Sequence, residues 1–160
     1  MTRKSVVLNA STVRALVALV AAAVVVLVCA ASAAALTFTP GDPVVYRVGT
    51  GSETLAKDTA ATTFLDEFSL GGVVEGSVAF PTSESGASKR LTASGTGTSE
   101  GELTLSGNGE FLLATGYNAA LGTLKLSETL VTGGKPVARV VGRVSKTGEV
   151  DTTTALLDFG

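Results

Sequence analysis

Alternating apolar and polar side chains organise the chain from Thr62 onward. The stretch ELTLSGNGEFLLATGYN, Glu102 to Asn118, reads as two strands folded about Asn108-Gly109. Centring a type I′ turn there pairs Leu105 with Leu112 and Leu103 with Ala114 on one face. Phe111, Leu113 and Tyr117 then point to the other face. A strand that is apolar on both sides needs cover above and below, which predicts an inner strand of stacked sheets. Two further hairpins follow the same logic. TTFLDEFSLGGVVEGSVAF, Thr62 to Phe80, divides at Gly71-Gly72 and is ended by Pro81. ARVVGRVSKTGEVDTTTALL, Ala138 to Leu157, turns at Thr147-Gly148, with Lys146 and Glu149 flanking the turn as a cross-strand charge pair. Upstream, PVVYRVG from Pro43 to Gly49 has the β-branched content of a strand.

Between these runs the pattern weakens. TGSETLAKDTAAT reads as a polar connector. TSESGASKRLTASGTGTSEG, Thr82 to Gly101, is so rich in Ser, Thr and Gly that it predicts a long solvated loop, with room for a short strand at RLTAS. Loops of that length in compact domains are often either functional or disordered, so a binding loop is the functional alternative. LGTLKLSETLVTGGKP leaves room for another strand at Thr123 to Leu126 before Gly133, Gly134 and Pro136 break the chain. A shift of 76 residues aligns Ser69 with Ser145, Gly72 with Gly148, Val74 with Val150, Glu75 with Asp151 and Ala79 with Ala155. A unit that recurs in this way predicts an array in which each layer needs its neighbours.

The amino-terminal third of the pattern is different in kind. RALVALVAAAVVVLVCAASAAAL, Arg14 to Leu36, follows the basic residues Arg3 and Lys4 and ends in small side chains. That order predicts a secretory signal peptide over residues 1–35, with one hydrophobic helix. Cleavage is expected after Ala33, reading Ala31-Ser32-Ala33, or after Ala35, reading Ala33-Ala34-Ala35. The run is also long enough to span a bilayer, so an uncleaved single-pass anchor is the alternative. The expected location is secreted or at the cell surface, with membrane contact only through this segment.

Charge and composition narrow the chemistry. Of the 12 Lys and Arg, Arg3, Lys4 and Arg14 precede Ala33, so nine face 14 Asp and Glu in the exported part. About five net negative charges without a basic run argue against nucleic acid as a partner. The whole chain has no His or Trp and one Cys, Cys29, inside the signal segment. This excludes a Ser-His-Asp triad, disulfides and thiolate metal sites from the exported part. Asp66-Glu67 is an adjacent carboxylate pair, but in a strand the two side chains leave opposite faces and cannot share one substrate bond. Neither GTGTSEG nor TGGKP has phosphate-loop spacing, and no calcium-loop run appears. Tyr46 and Tyr117 read as core residues before they read as sugar-stacking platforms. No cofactor or metal is expected.

The segments VVYRVG, FLDEFSLGG, LTASGTGTSEGELTLSGNGEFLLATGYNAALGT and RVVGRVSKTGEVDTTTAL together resemble the amino-terminal part of exported bacterial, actinobacterial-type β-propeller-like proteins of uncharacterised function. In those proteins the second hairpin reads closer to S-x-D-G, and Asn108 stands here in the Asp place. The resemblance implies an all-β fold of antiparallel hairpins over 36–160, forming about 1.5 to 2 blades of an array that closes with roughly four to eight. It further implies that the chain is a fragment truncated near ALLDFG, and it brings no catalytic residue. The expected function is an exported, non-enzymatic scaffold or binding module for an extracellular ligand or protein. The alternatives are a fragment of a glycan-active or other carboxylate-dependent hydrolase with its site in missing blades, and a membrane-anchored surface structural protein.

Overall fold

A computed structural model of the chain describes residues 36–126 and 137–156. The expected signal segment with Ala33, Ala34 and Ala35, the breakers Gly133, Gly134 and Pro136, and the last four residues of ALLDFG lie outside them. Among the described residues every regular element is a β-strand. Strands β1 (Val44–Val48), β3 (Thr63–Phe68) and β4 (Val74–Ala79) form one antiparallel sheet in the order β1-β3-β4. Strands β6 (Leu103–Leu105), β7 (Phe111–Tyr117), β8 (Arg139–Ser145) and β9 (Val150–Leu156) form a four-stranded antiparallel meander. A two-residue ladder joins β2 (Ala60–Ala61) to β5 (Ala93–Ser94).

The second hairpin adopts the expected register, Leu105 opposite Leu112 and Leu103 opposite Ala114. Its turn is of a different type. A type I′ turn needs positive φ at both central residues, whereas Gly109 has φ 73° and Asn108 stays out of the left-handed region. The Gly109 amide instead closes onto the Ser106 carbonyl at 2.8 Å, and the Ser106 hydroxyl accepts from the Phe111 amide at 3.0 Å. The other hairpins turn similarly. The amides of Gly72 and Gly148 donate to the carbonyls of Ser69 and Ser145 at 2.9 Å each, and the Ser69 and Ser145 hydroxyls accept from the amides of Val73 and Glu149 at 3.2 Å each. In each turn the glycine is the fourth residue, after a serine that caps the backbone with its own side chain. This geometry makes Lys146 a central turn residue rather than a cross-strand partner of Glu149. The ion pair of that hairpin is Arg143 to Asp151 at 2.7 Å.

Gly109 and Gly148 share φ 73° but differ in surroundings: nothing lies within 4 Å of a Cβ built at Gly109, while one at Gly148 meets the Leu36 carbonyl oxygen at 2.5 Å. Gly109→Ala is therefore expected to cost only the left-handed strain, about 1 kcal/mol. Gly148→Ala should exceed it by about 1 kcal/mol or more, because a backbone atom has to move. Equal urea midpoints for the two variants would contradict this.

The two main sheets bury their inner faces against each other. Leu65, Val78 and Phe80 meet Ala114, Val140 and Val144, with Val44, Tyr46, Leu103, Leu112, Val150 and Ala155 packed around them. The segment before β1 closes one end: the Phe38 amide donates to the Lys146 carbonyl at 2.8 Å, and Leu36 joins the core. Glu67, 1% exposed on the inner face, accepts a hydrogen bond from the Thr39 amide of the same segment.

The Thr82–Gly101 stretch is exposed at Thr82–Ala87 and Thr96–Ser99, as a solvated loop would be, but its middle is part of the core. Leu91, Thr92, Ala93, Ser94 and Gly95 are all buried. The Leu91 amide donates to Pro81 at 2.9 Å, its carbonyl accepts from the Thr63 hydroxyl at 2.7 Å, and Thr92 bridges Tyr117. Leu91 reaches the core through a notch at two strand glycines. A Cβ at Gly116 would lie 2.7 Å from Leu91 Cδ2, and one at Gly142 would lie 2.5 Å from Leu91 Cδ1. Glycine within a strand often marks such a close approach. The RLTAS strand is present in shortened form as β5. The strand considered at Thr123–Leu126 reduces to a single bridge from Leu124 to Thr59, although Leu126 is fully buried.

Candidate functional site

The outer face of the four-stranded sheet carries the site. β7 is an inner strand, as its two apolar faces predict, but no other main sheet covers its outer face: arginines of β8 lie over Phe111 and Tyr117, and Tyr117 is also buried in a second cluster with Ala60, Ala119 and Leu126. The Arg143 guanidinium lies 4.7 Å from the Phe111 ring centroid, and that of Arg139 lies 3.9 Å from the centre of Tyr117. The pairing register causes this, because Tyr117 faces Arg139 directly and Arg139 faces Leu156 on β9. A planar guanidinium stacked on an aromatic face gains cation–π attraction and shields the ring from water. The three-stranded sheet repeats the device on its own outer face, with Arg47 at 4.1 Å over Phe64, its direct cross-strand partner.

At the end of the face away from the hairpin turns, a groove of about 540 Å³ opens among Ser99, Glu100, Thr115, Tyr117, Arg139, Val141 and Leu156. The Glu100 carboxylate is fixed from two sides: Oε1 accepts from the Tyr117 hydroxyl at 2.7 Å and Oε2 from the Ser94 amide at 2.9 Å. Burial, followed by the hydrogen bond to the negative Glu100, pushes the Tyr117 phenol up to about 12. Burial likewise raises Tyr46, which is packed against Phe80. A phenol with a raised folded pKa stabilises the fold at and below its unfolded value near 10, and that contribution is lost as pH rises through the folded value. Tyrosinate absorbance is thus expected only near pH 12, together with unfolding. Reversible ionisation of either tyrosine at pH 10 with the fold intact would contradict the arrangement.

Other expected residues fall elsewhere. Gly71, Gly72, Asn108, Gly109, Thr147 and Gly148 lie in the three hairpin turns. The turns of the second and third hairpins border a second, more apolar groove of about 470 Å³ between Phe38–Val44 and Leu105, Phe111 and Val144. Asp66 and Glu67 separate as the strand requires. Asp66 points outward, where burial favours its neutral form, but hydrogen bonds from Arg47 and Ser77 outweigh this and hold its carboxyl below the ordinary range. Tyr117 is 4% exposed and roofed by Arg139, so it offers no open ring for stacking. Among the described residues no three His, Cys, Asp or Glu side chains gather as a metal site. Glu100 and Arg139 carry no motif and were not singled out by sequence. Only the pairing of β7 with β8 brings Arg139 beside Tyr117.

No family model, no curated protein and no solved structure matches the chain.

Proposed function

We propose that the chain is an exported, non-enzymatic β-scaffold that binds a ligand at the cell surface or outside the cell, using the groove at Glu100, Tyr117 and Arg139. The observation that carries this reading is the state of the polar groups in that groove. Glu100 is an orienting acceptor, held by a phenol and a backbone amide, and Arg139 is stacked flat on an aromatic ring. The Tyr117 phenol beside Glu100 is buried, donates to that carboxylate and is pushed up to about 12, so it is poorly disposed to act as a nucleophile near neutral pH. Concave sites with a few fixed polar groups on a rigid sheet suit binding. The 76-residue correspondence of the first and third hairpins supports the accompanying proposal that they are repeated units of a propeller-like array.

Export is tested by expressing the full chain in a bacterial host and determining its amino terminus by mass spectrometry. A mature terminus at Ala34 or Leu36 in the periplasm or medium is the expected result. Retention of residues 1–35 on a membrane-bound product would replace secretion by anchoring, and an intact chain in the cytoplasm would overturn export altogether.

A further inference from the structure

The end of the molecule that carries the hairpin turns holds an apolar patch with no part in the groove at Glu100. The first and third hairpins close with the same bonds: a glycine amide onto a serine carbonyl, and the serine hydroxyl accepting from the next amide. In the third hairpin the side chains around that turn are Lys146, Thr147 and Glu149, all exposed and polar. The first places Leu70 where Lys146 stands and Val73 where Glu149 stands. Leu70 is 86% exposed and Val73 65%. Val74 follows at 54%, whereas its counterpart Val150 packs against the core. The turn does not require these side chains, since the third hairpin closes identically without them. Single exposed apolar residues are ordinary, but a contiguous group marks an interaction surface.

The same end carries the groove of about 470 Å³, with Phe38, Val44, Leu105, Phe111 and Val144 in its walls. Leu105 is 61% exposed there. Residues 36–43 set this groove close to the first hairpin. The Phe68 amide donates to the Pro43 carbonyl at 3.0 Å, and the Phe38 amide donates to the Lys146 carbonyl at 2.8 Å. An apolar projection and an apolar recess at one end of a chain suit a two-fold axis, which seats each projection in the other copy's recess and leaves neither open. We infer that this end of the molecule is a self-association surface, in which the Leu70, Val73 and Val74 tip of one copy enters the Phe38 and Leu105 groove of a second. Charge agrees with that occupant. Glu75, exposed beside Val74, and Lys146, on the groove wall, have no ionic partner among the described residues, and the contact pairs them across copies. Asp42 and Glu110 also line the groove, and the exported part carries about five net negative charges, so this end is repelled by an anionic lipid surface.

The test follows the mass of the full chain, in the form the expression host leaves it, by sedimentation velocity at rising concentration. A monomer–dimer equilibrium with a Kd on the order of 10 μM is expected, with no larger species. Leu70→Ser combined with Val73→Ser gives the tip the polarity of the third hairpin and should raise that Kd roughly tenfold or more. Glu75→Lys alone should raise it about fivefold, and adding Lys146→Glu should recover most of the loss, a rescue that damaged folding does not produce. Both tip side chains are exposed, so at concentrations well below the Kd the tip variant should keep the parent's urea midpoint, which separates lost association from lost structure. A chain still monomeric at about 1 mM would overturn the inference. So would a dimer that neither the tip variant nor the charge exchange disturbs, or a mass that keeps growing past two copies. Co-sedimentation of the parent chain, but not of the tip variant, with phosphatidylcholine vesicles would also overturn it and assign the tip to a lipid surface.

Discussion

Leu91→Ala is expected to be the most damaging single truncation in the chain, lowering stability by about 3 kcal/mol or more. The side chain is 0% exposed and sits between the two sheets, where Phe80, Gly116 and Gly142 surround it. Removing a buried leucine loses its transfer free energy and leaves a cavity whose cost depends on how far the walls relax. Here relaxation is restricted, because the flanking backbone is held by the 2.9 Å bond to Pro81 and the 2.7 Å bond from Thr63. With a denaturant slope of about 2 kcal/mol per molar urea, the midpoint should fall by about 1.5 M at unchanged slope. A fall of less than about 0.5 M would mean that the Thr82–Gly101 stretch lies over the core and is no part of it.

The notch that receives Leu91 gives the second large effect. Gly116→Ala is expected to cost about 2–3 kcal/mol, in the range of overpacked cores. Its methyl would lie 2.7 Å from the Thr92 carbonyl oxygen as well as 2.7 Å from Leu91 Cδ2, and a backbone oxygen locked in the Thr92–Tyr117 bridge cannot swing away. Gly142→Ala meets only side chains, Leu91 Cδ1 at 2.5 Å and Phe80 Cε1 at 2.8 Å. The two substitutions should therefore respond differently to shortening Leu91. In the Leu91→Ala background the cost of Gly142→Ala should shrink by about 1 kcal/mol or more, while most of the Gly116→Ala cost persists. Chemical unfolding of the parent chain, the three single variants and the two double variants measures this. Equal rescue of both glycine sites would show that the Thr92 backbone yields.

Individual strands were legible because their causes are local. Alternation in FLDEF, LLATGY and RVVGRV fixes which residues share a face, and the Ser-x-x-Gly turns close each hairpin within a few residues. The register of Leu103 and Leu105 against Ala114 and Leu112 could be derived for that reason. The turn type could not, because a serine hydroxyl accepting from the chain competes with the double left-handed turn that Asn-Gly favours. Composition gave the exposed ends of the Thr82–Gly101 stretch but not its buried middle: five consecutive residues, Leu91 to Gly95, are small or single apolar groups whose burial depends on space left by distant glycines.

The candidate site was less legible than the hairpins. Tyr117 stood out as an aromatic, but Arg139 lies on the next strand after a long connection and Glu100 in a glycine-rich loop. Nothing in their spacing announces that one will roof the phenol and the other accept its hydrogen bond. Read alone, the amino-acid order determined that the described residues are all-β, where their hairpins fold, and which catalytic and metal chemistries a chain without His and with one Cys cannot build, since alternation, turn residues and inventory are local properties. Only the tertiary structure decided that two sheets close on Leu91, that arginines and a second small cluster rather than another main sheet cover β7, and that Glu100, Tyr117 and Arg139 share one groove. Those outcomes depend on which strands pair across long separations and on where missing side chains let another segment in, and neither is written in any short window of the chain.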